Sequence, residues 1–476
     1  MTVLGIDLGT GSTKAAVLAP SGRVLGRGSC PHPVRSSHTG AAETDPEDWL
    51  TSVSRAVTEA LDRAERPTVD AIGVSGQMHG VVCVDAHGTP LRPALLWADV
   101  RASAQCAAYR RLNEADLRTL ANPVVPGMFG PLLAWALERE PDLRSGMQWA
   151  LSPKDWLRLI LTGSACTEPS DASATLVWDI PASRWSDVVI DALGLPASAL
   201  PPVIASDHAA GRLSAHGAQV LGIEPGVVVA TGAADVAAAI LGSGLASGEL
   251  QLSIGTGAQL VTPVDDLHLA QVPVTHRYRR AEASGWYAMA AIQNAGLALE
   301  WVRDVLEASW DELHQALDDV PPGADGVTFH AYLTGERTPV LDTTVRGAWQ
   351  GLGLHTRRPA LLRAAMEGVA FAIRDGLVAL QADGIDADVI RLVGGGSSAA
   401  RWSTLLATTL NRRLTIHQLA DASVIGAARL GATAVGLMVP PLSDDQPAVI
   451  NPDSQGIGAM DDAWRRWRTR PPAGAM

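Results

Sequence analysis

Two well-separated stretches of this chain repeat one short pattern, and any fold has to accommodate both. IDLGTGSTKAAV starts at Ile6 and LSIGTGAQLVTP at Leu252; each runs apolar stretch, Gly-Thr-Gly, apolar stretch. Short apolar runs bounded by glycine read as buried strands joined by a tight turn. Repetition of the unit predicts two related domains, the second starting near Ser243. The length of 476 residues agrees, because one hydrophobic core seldom organises so long a chain.

The remaining sequence fits around these copies. Segments 3–8, 14–18 and 23–26 predict an antiparallel meander at the start. Trp49, Val53, Val57 and Leu61 share one face of a helix over 48–63. A strand over 71–74 stops at Gly76, and a hairpin over 81–97 turns at Asp85 to Gly88. Amphipathic helices and proline-marked turns fill 101–221. A buried strand over 227–230 then turns at Thr231 to Ala234 into an alanine-rich helix that begins near Asp235. In the second copy, strands are expected over 250–254 and 258–261, and helices over 295–306 and 359–380. A strand over 389–393 ends in Gly394-Gly395-Gly396, and a last helix over 463–468 precedes a frayed tail at 471–476. The expected division is a first domain at 1–242, a second at 243–440, and a C-terminal helix and tail at 441–476.

Composition excludes several classes. Lys and Arg number 37 against 50 Asp and Glu, a net charge of -13, so the chain lacks the positive field that draws nucleic acid. Cys30, Cys83, Cys106 and Cys166 form no CxxC pair, which fits a reducing, cytoplasmic setting better than a zinc site or a disulfide scaffold. MTVLGIDLGT has no basic leader region and reaches Asp7 at once, so it does not read as a signal peptide. The most apolar stretch, 226–245, carries Asp235 and reads as strand and helix, not as a membrane span. The 14 Trp form no stripe, and His208 with His216, placed in a loop or hairpin, has no third metal ligand in view.

The Gly-Thr-Gly turns carry the first chemical signal. Glycine at a strand-to-strand turn leaves N–H groups and hydroxyls open to a phosphate. In the first copy Asp7 precedes the turn, and Ser12, Thr13 and Lys14 follow it; a carboxylate beside a phosphate loop suits Mg²⁺ held through water. One such turn alone is a plain hairpin, but two copies favour the phosphate reading. GxxxxGK[ST] is absent, and Gly9-Thr10-Gly11 leads into a strand without a third glycine, unlike a dinucleotide site. Asp235, at a strand-to-helix junction, is either a general base for an alcohol or a helix cap without chemistry. Gly76-Gln77-Met78-His79-Gly80 offers hydrogen-bonding groups and a soft wall to a polyol, or else holds a core histidine beside a turn. Gly394 to Ser398 lets backbone approach a base or phosphate, or is a flexible turn.

Together these segments resemble the FGGY family of carbohydrate kinases, over nearly the whole chain and most closely its xylulokinase branch. GIDLGTGSTK is similar to the family's first phosphate loop. GVSGQMHG with LRPALLWADVRA resembles the sugar segment, and SPKDWLRLILTG with EPSDASATLVWDI a middle stretch of the first domain. ATGAADVAAAILGSG holds the family's catalytic aspartate position. SIGTGAQL resembles the second phosphate loop, YLTGERTP a xylulokinase-type segment, and LVGGGSSAARWSTLLATTL the adenosine segment. The resemblance implies the α/β fold of the sugar kinase, Hsp70 and actin superfamily (ribonuclease H-like): two domains flanking a cleft that ATP bridges, with the sugar deep in the first. It makes Asp235 the general base, and Asp7 the organiser of Mg²⁺ and its waters, with Asp235 nearby. Gln77, Met78, His79, Trp97 and Asp235 would meet the sugar. Thr10, Gly11, Ser12, Thr13 and Lys14, with Gly255 and Thr256, would meet the ATP phosphates, and Gly395, Gly396 and Ser397 the adenosine. The expected partners are ATP and a sugar, without nucleic acid or membrane; pairing into a homodimer is carried by analogy alone.

Departures shape the substrate expectation. Xylulokinases usually place Asn after the catalytic Asp, and this chain has Val236; their Trp-Asn-Asp segment reads Trp97-Ala98-Asp99. Both changes remove polar groups on the sugar side. D-Xylulose is the leading substrate, with another pentulose, a hexulose or a polyol as the rival. A non-kinase ATPase of the wider superfamily lacks a sugar segment such as GQMHG, and a dead sugar sensor conflicts with the presence of both Asp7 and Asp235.

Overall fold

The computed structural model describes residues 1–37, 39–395, 399–442 and 447–469. The chain opens with β1 (Val3–Leu8), β2 (Ser12–Leu18) and β3 (Val24–Pro31), an antiparallel meander. Helix α1 (Pro46–Arg63) covers one face of it. Asp45 accepts from the N–H of Glu47, and Pro46 sits in the first turn, where no intrahelical N–H is missed. Its buried side carries Trp49, Val53, Val57 and Leu61, the face the spacing predicted. β4 (Ala71–Gly76) pairs parallel with β1. Helices α2 (Pro153–Thr162) and α3 (Pro169–Ser173) lead to β5 (Ala209–Arg212), β6 (Val228–Ala230) and β7 (Ala233–Ala234), and then to α4 (Asp235–Ser243). The sheet order is β5-β6-β4-β1-β2-β3, with β7 also paired to β4.

The second half repeats this plan. β8 (Leu250–Ile254), β9 (Ala258–Val264), β10 (His276–Arg279) and β11 (Trp286–Ile292) are followed by helices α5 (Gly296–Val305) and α6 (Arg358–Ala382). Then come β12 (Val389–Val393), α7 (Ala400–Leu410), β13 (Arg413–Ile416), α8 (Ala422–Thr433), β14 (Ala448–Ile450) and α9 (Ile457–Arg468). The order is β10-β11-β9-β8-β12-β13-β14. β8, β9 and β11 are antiparallel and β8, β12 and β13 parallel, as β1-β2-β3 and β1-β4-β6 are. The short repeat in sequence is therefore a repeat in topology, with one Gly-Thr-Gly at each first turn.

The halves interlock through glycine. α8 belongs to the second half by sequence, yet it lies against β1, β4 and α4. A Cβ on Gly5 or Gly73 would collide with the carbonyl oxygens of Val424 or Ala427, and one on Gly426 with that of Ala238. Only hydrogen at these positions allows so close an approach. Beside this contact Met78, Ala237, Tyr278, Tyr287, Met289 and Leu430 pack into one cluster that draws on both halves.

Several predicted bounds shift. The third meander strand runs on to Pro31, and the last helix starts at Ile457, not at 463. His216 lies in a short helix, Ala215–Leu221, where a loop or hairpin was expected, because Ser214 caps it by accepting from Gly217. The segment after 440 is no appendage: β14 pairs with β13, and the Trp467 indole donates to the Phe329 carbonyl at 2.8 Å. The tail at 471–476 lies outside the described residues. Stretch 226–245 resolves into β6, β7 and α4, and no helix among the described residues is long and apolar enough to cross a membrane.

Candidate active site

The carboxyl ends of three strands converge in the first half. β1 ends at Leu8, β4 at Gly76 and β7 at Ala234; Leu8 pairs with Gly76, and Gly76 with Ala234. The chain leaves these ends as Gly9-Thr10-Gly11, as Gln77-Met78-His79 and as Asp235. Open α/β sheets bind ligands at such strand ends, so topology gathers three of the sequence-predicted motifs at one place.

Asp7 is buried, held between two hydroxyl donors. Ser75 Oγ donates to one carboxylate oxygen at 2.8 Å and Ser423 Oγ to the other at 2.6 Å. Burial raises its pKa, while the two serines and Lys14 oppose the shift. Ser423 comes from α8, so the second half holds the first half's carboxylate. Asp235 is the first residue of α4 and takes its own helix's Val236 N–H at 2.7 Å. It keeps partial exposure, yet desolvation, then the charge of Asp7, raise its pKa to about 7. A carboxyl group poised there can exist as a base near neutral pH.

The first Gly-Thr-Gly loop is pinned from below. His32 Nε2 lies 3.2 Å from the Gly9 carbonyl and 3.1 Å from that of Thr10. Carbonyls only accept, so Nε2 carries the proton, and Nδ1 lies 3.1 Å from Ser52 Oγ. Thr13 points inward, fully buried, with its hydroxyl 2.6 Å from Ser52. Lys14 is committed to Asp421, at 2.9 Å. Thr10, Gly11 and Ser12 retain exposure, and the Trp97 indole donates to the Thr10 hydroxyl at 2.8 Å.

At the end of β4, Gln77 is buried and gives its amide N–H to the Gly9 carbonyl at 3.3 Å, leaving Oε1 without a partner among the described residues. Met78 receives the Tyr287 hydroxyl on sulfur at 3.6 Å. His79 adopts φ +72, a conformation uncommon for residues other than glycine. Its Nδ1 donates to the Ala174 carbonyl at 2.8 Å. Burial, then the charge of Arg337, lower its pKa to about 3, so its Nε2 is a bare acceptor. Val236 is half-buried in the cluster between the halves, and Ala98 is exposed.

Behind Asp235 lies a fully buried ionic group. Lys154 Nζ sits 2.6 Å from Asp155, 3.0 Å from Asp171 and 3.4 Å from Glu168, and Arg158 pairs with Asp155 at 2.9 Å. Ser170 Oγ donates to Glu168 and accepts the Ala234 N–H at 2.9 Å, and Arg158 donates to the Thr231 carbonyl at 2.6 Å. The 231–234 turn that presents Asp235 is thus fixed to this network.

The second Gly-Thr-Gly faces the cleft differently. Gly255 and Thr256 are exposed, and their carbonyls accept from Gly296, Ala295 and Leu297 at the start of α5, at 3.0 to 3.1 Å. Gly394, at φ +97, abuts the Ile254 carbonyl, which sets Gly395 beside this loop. Gly396 and Ser397 lie outside the described residues. Glu336, buried, accepts from the Gln293 N–H at 2.6 Å and so supports the strand-to-helix turn; burial pushes its pKa up to about 7. Sequence reasoning missed His32, Ser52, Ser75, Ser423 and Glu336 because each acts through a partner distant in sequence. Ser75 and Glu336 stood inside the quoted motifs GVSGQMHG and YLTGERTP.

An oxygen-rich set at Asp7 suits Mg²⁺. Among the described residues no group of three His, Cys, Asp or Glu could enclose a metal.

Comparison with known proteins places these features in context. Residues 2–242 match the model of the FGGY family of carbohydrate kinases, N-terminal domain, and residues 250–435 that of its C-terminal domain. The chain is 32% identical over 441 residues to the xylulose kinase of Bacillus subtilis, covering 91% of this chain and 88% of that protein. It is 32% identical over 435 residues to the xylulose kinase of Escherichia coli, covering 90% of each. A crystal structure of a xyloylose kinase from Brucella ovis superposes with a TM-score of 0.89 at 34% identity, over 98% of both chains.

Proposed function

We propose that this chain, which belongs to the FGGY family of carbohydrate kinases, transfers the γ-phosphoryl group of ATP to O5 of D-xylulose. The observation that carries the reading is the pairing of Asp235, its pKa raised to about 7, with buried Asp7 where three strand ends meet. Xylulose kinases at about a third identity over nearly the whole chain support the substrate. In this reading residues 1–242 form the sugar domain, residues 243–440 the nucleotide domain, and residues 441–476 close the latter.

Asp235 accepts the proton of the sugar hydroxyl as that oxygen attacks the γ-phosphorus. His79 Nε2 accepts a hydrogen bond from a second hydroxyl, and Met78 and Trp97 wall the sugar. Thr10, Gly11 and Ser12 face the terminal phosphates, with Gly255 and Thr256 opposite and Gly395 by the adenosine. Thr13 and Lys14 act from behind: Thr13 through its backbone and Lys14 through Asp421. Asp7, with Asp235 nearby, would hold Mg²⁺ through water, and the ion would supply charge neutralisation at the phosphates. The protein works as a cytoplasmic enzyme.

The test is ADP release with Mg·ATP across D-xylulose, D-ribulose, L-ribulose, D-fructose, glycerol and xylitol, with a no-sugar control. Stimulation greatest with D-xylulose is expected. Preference for another sugar moves the substrate, and sugar-independent turnover overturns the kinase reading.

A further inference from the structure

The sugar side of the cleft is rich in acceptors and poor in free donors. His79 Nε2 and the Asp235 carboxyl accept. The Gln77 amide N–H is spent on the Gly9 carbonyl and the Trp97 indole on Thr10. Val236 and Ala98 contribute no side-chain donor. One cation reaches in from the second half: Arg337, whose guanidinium lies 6.0 Å from the centre of the Trp97 ring, at the edge of cation–π range.

Arg337 is rigidly mounted and half-buried. Its N–H donates to Glu336 Oε1 at 2.8 Å and its carbonyl accepts from Leu341 at 2.6 Å. The following Thr338 is tied to β11, its N–H donating to the Ala291 carbonyl at 2.9 Å. Among the described residues Glu336 Oε1 accepts from the Gln293 and Arg337 N–H groups while Oε2 has no partner. The guanidinium forms no ion pair or hydrogen bond among them, and only the charges of Tyr278 and Glu336 act on it from a distance. Its charge acts on His79, His276 and Tyr278. The influences on Asp235 are burial, Asp7 and the Val236 N–H. Arg337 stands by Trp97, whereas Asp235 opens α4.

The chemistry of the substrate supplies the matching group. A 2-ketopentose closes a five-membered ring only through O5. A molecule that presents O5 for phosphorylation is therefore open-chain, with a free C2 carbonyl at its other end. We propose that Arg337 is a specificity-determining residue that donates to the C2 carbonyl oxygen of the open-chain ketose and so selects ketoses over polyols. This rests on the ketopentose reading above. A guanidinium mounted without a protein partner is ready to be satisfied by a ligand acceptor, and a polyol hydroxyl is a poorer match than a carbonyl.

The experiment compares kcat/KM for D-xylulose and for xylitol in the parent enzyme and in Arg337→Leu, Arg337→Lys and Arg337→Gln, alongside KM for ATP. Loss of a charged hydrogen bond predicts that Arg337→Leu lowers the D-xylulose value about 10- to 100-fold and leaves the xylitol value within about threefold. KM for ATP stays unchanged, and Arg337→Lys and Arg337→Gln recover part of the preference. Equal losses on both substrates, or a rise in KM for ATP alone, overturn the proposal. A parent inactive on D-xylulose overturns the substrate reading instead. An active parent whose ketose preference survives Arg337→Leu overturns only the role of Arg337.

Discussion

The two Gly-Thr-Gly loops share a sequence, a strand order and a place at the first turn of a meander, yet they are built for different work. Asp7 stands two residues before the first loop, and Ser253 holds the same position before the second. Side chains pin the first loop: His32 and Ser52 beneath it, Trp97 beside it. Among the described residues the second is pinned by backbone, through its carbonyls on the start of α5. A side-chain cradle can place a carboxylate and an attacking hydroxyl to fractions of an ångström. A backbone cradle offers a general phosphate seat. In the proposed reading the two copies share a scaffold, and side chains fit the first for chemistry while backbone fits the second for nucleotide support.

The largest break in this comparison is Asp235→Asn. Removing the base is expected to lower kcat about 10²- to 10⁴-fold with nucleotide affinity retained, measured by coupled ADP release. In the parent, activity on the acid side should fall about tenfold per pH unit below about 7, since only the ionised carboxyl group accepts a proton. His32→Phe sharpens the contrast at smaller amplitude. With the Gly9 and Thr10 carbonyls unsupported, KM for ATP is expected to rise about tenfold, from about 1–2 kcal/mol of lost hydrogen bonding.

The smallest effect is one of stability. Burial raises the pKa of the Asp235 carboxyl group to about 7 in the fold, against an ordinary 3.8. Between these values the folded protein holds a proton that the unfolded chain releases, so stability present at low pH is lost as pH rises through 7. Asp235→Asn lacks that loss. Without Mg²⁺ or nucleotide, the variant should be more stable than the parent at pH 8 by on the order of 1–2 kcal/mol. The gap should shrink towards pH 4 in thermal denaturation.

The two-domain plan was legible because the repeat, the glycine turns and the apolar runs are local signals. Strands 3–8, 250–254 and 389–393 emerge with the expected bounds for that reason. Asp7, Asp235 and the Gln77 to His79 segment were legible as candidates, and strand pairing brings them to one place. What stayed hidden depends on long-range partners. Nothing near Ser423 in sequence announces Asp7, and nothing in Gly426 announces the Ala238 carbonyl that excludes a side chain there. The resemblance implies Thr13 and Lys14 as phosphate contacts, and long-range partners meet their side chains. Ser52 and Asp421, from other elements, take up their side-chain polar groups.

The division of labour between the loops is tested most directly by measuring ATP affinity and kcat on Asp7→Asn and Thr256→Val side by side. The account predicts that Asp7→Asn lowers kcat about 100-fold with ATP affinity changed by less than about threefold. For Thr256→Val it predicts ATP affinity weakened about tenfold, the size of one lost hydrogen bond, with kcat at saturation nearly intact. The same pattern of loss in both variants would contradict it.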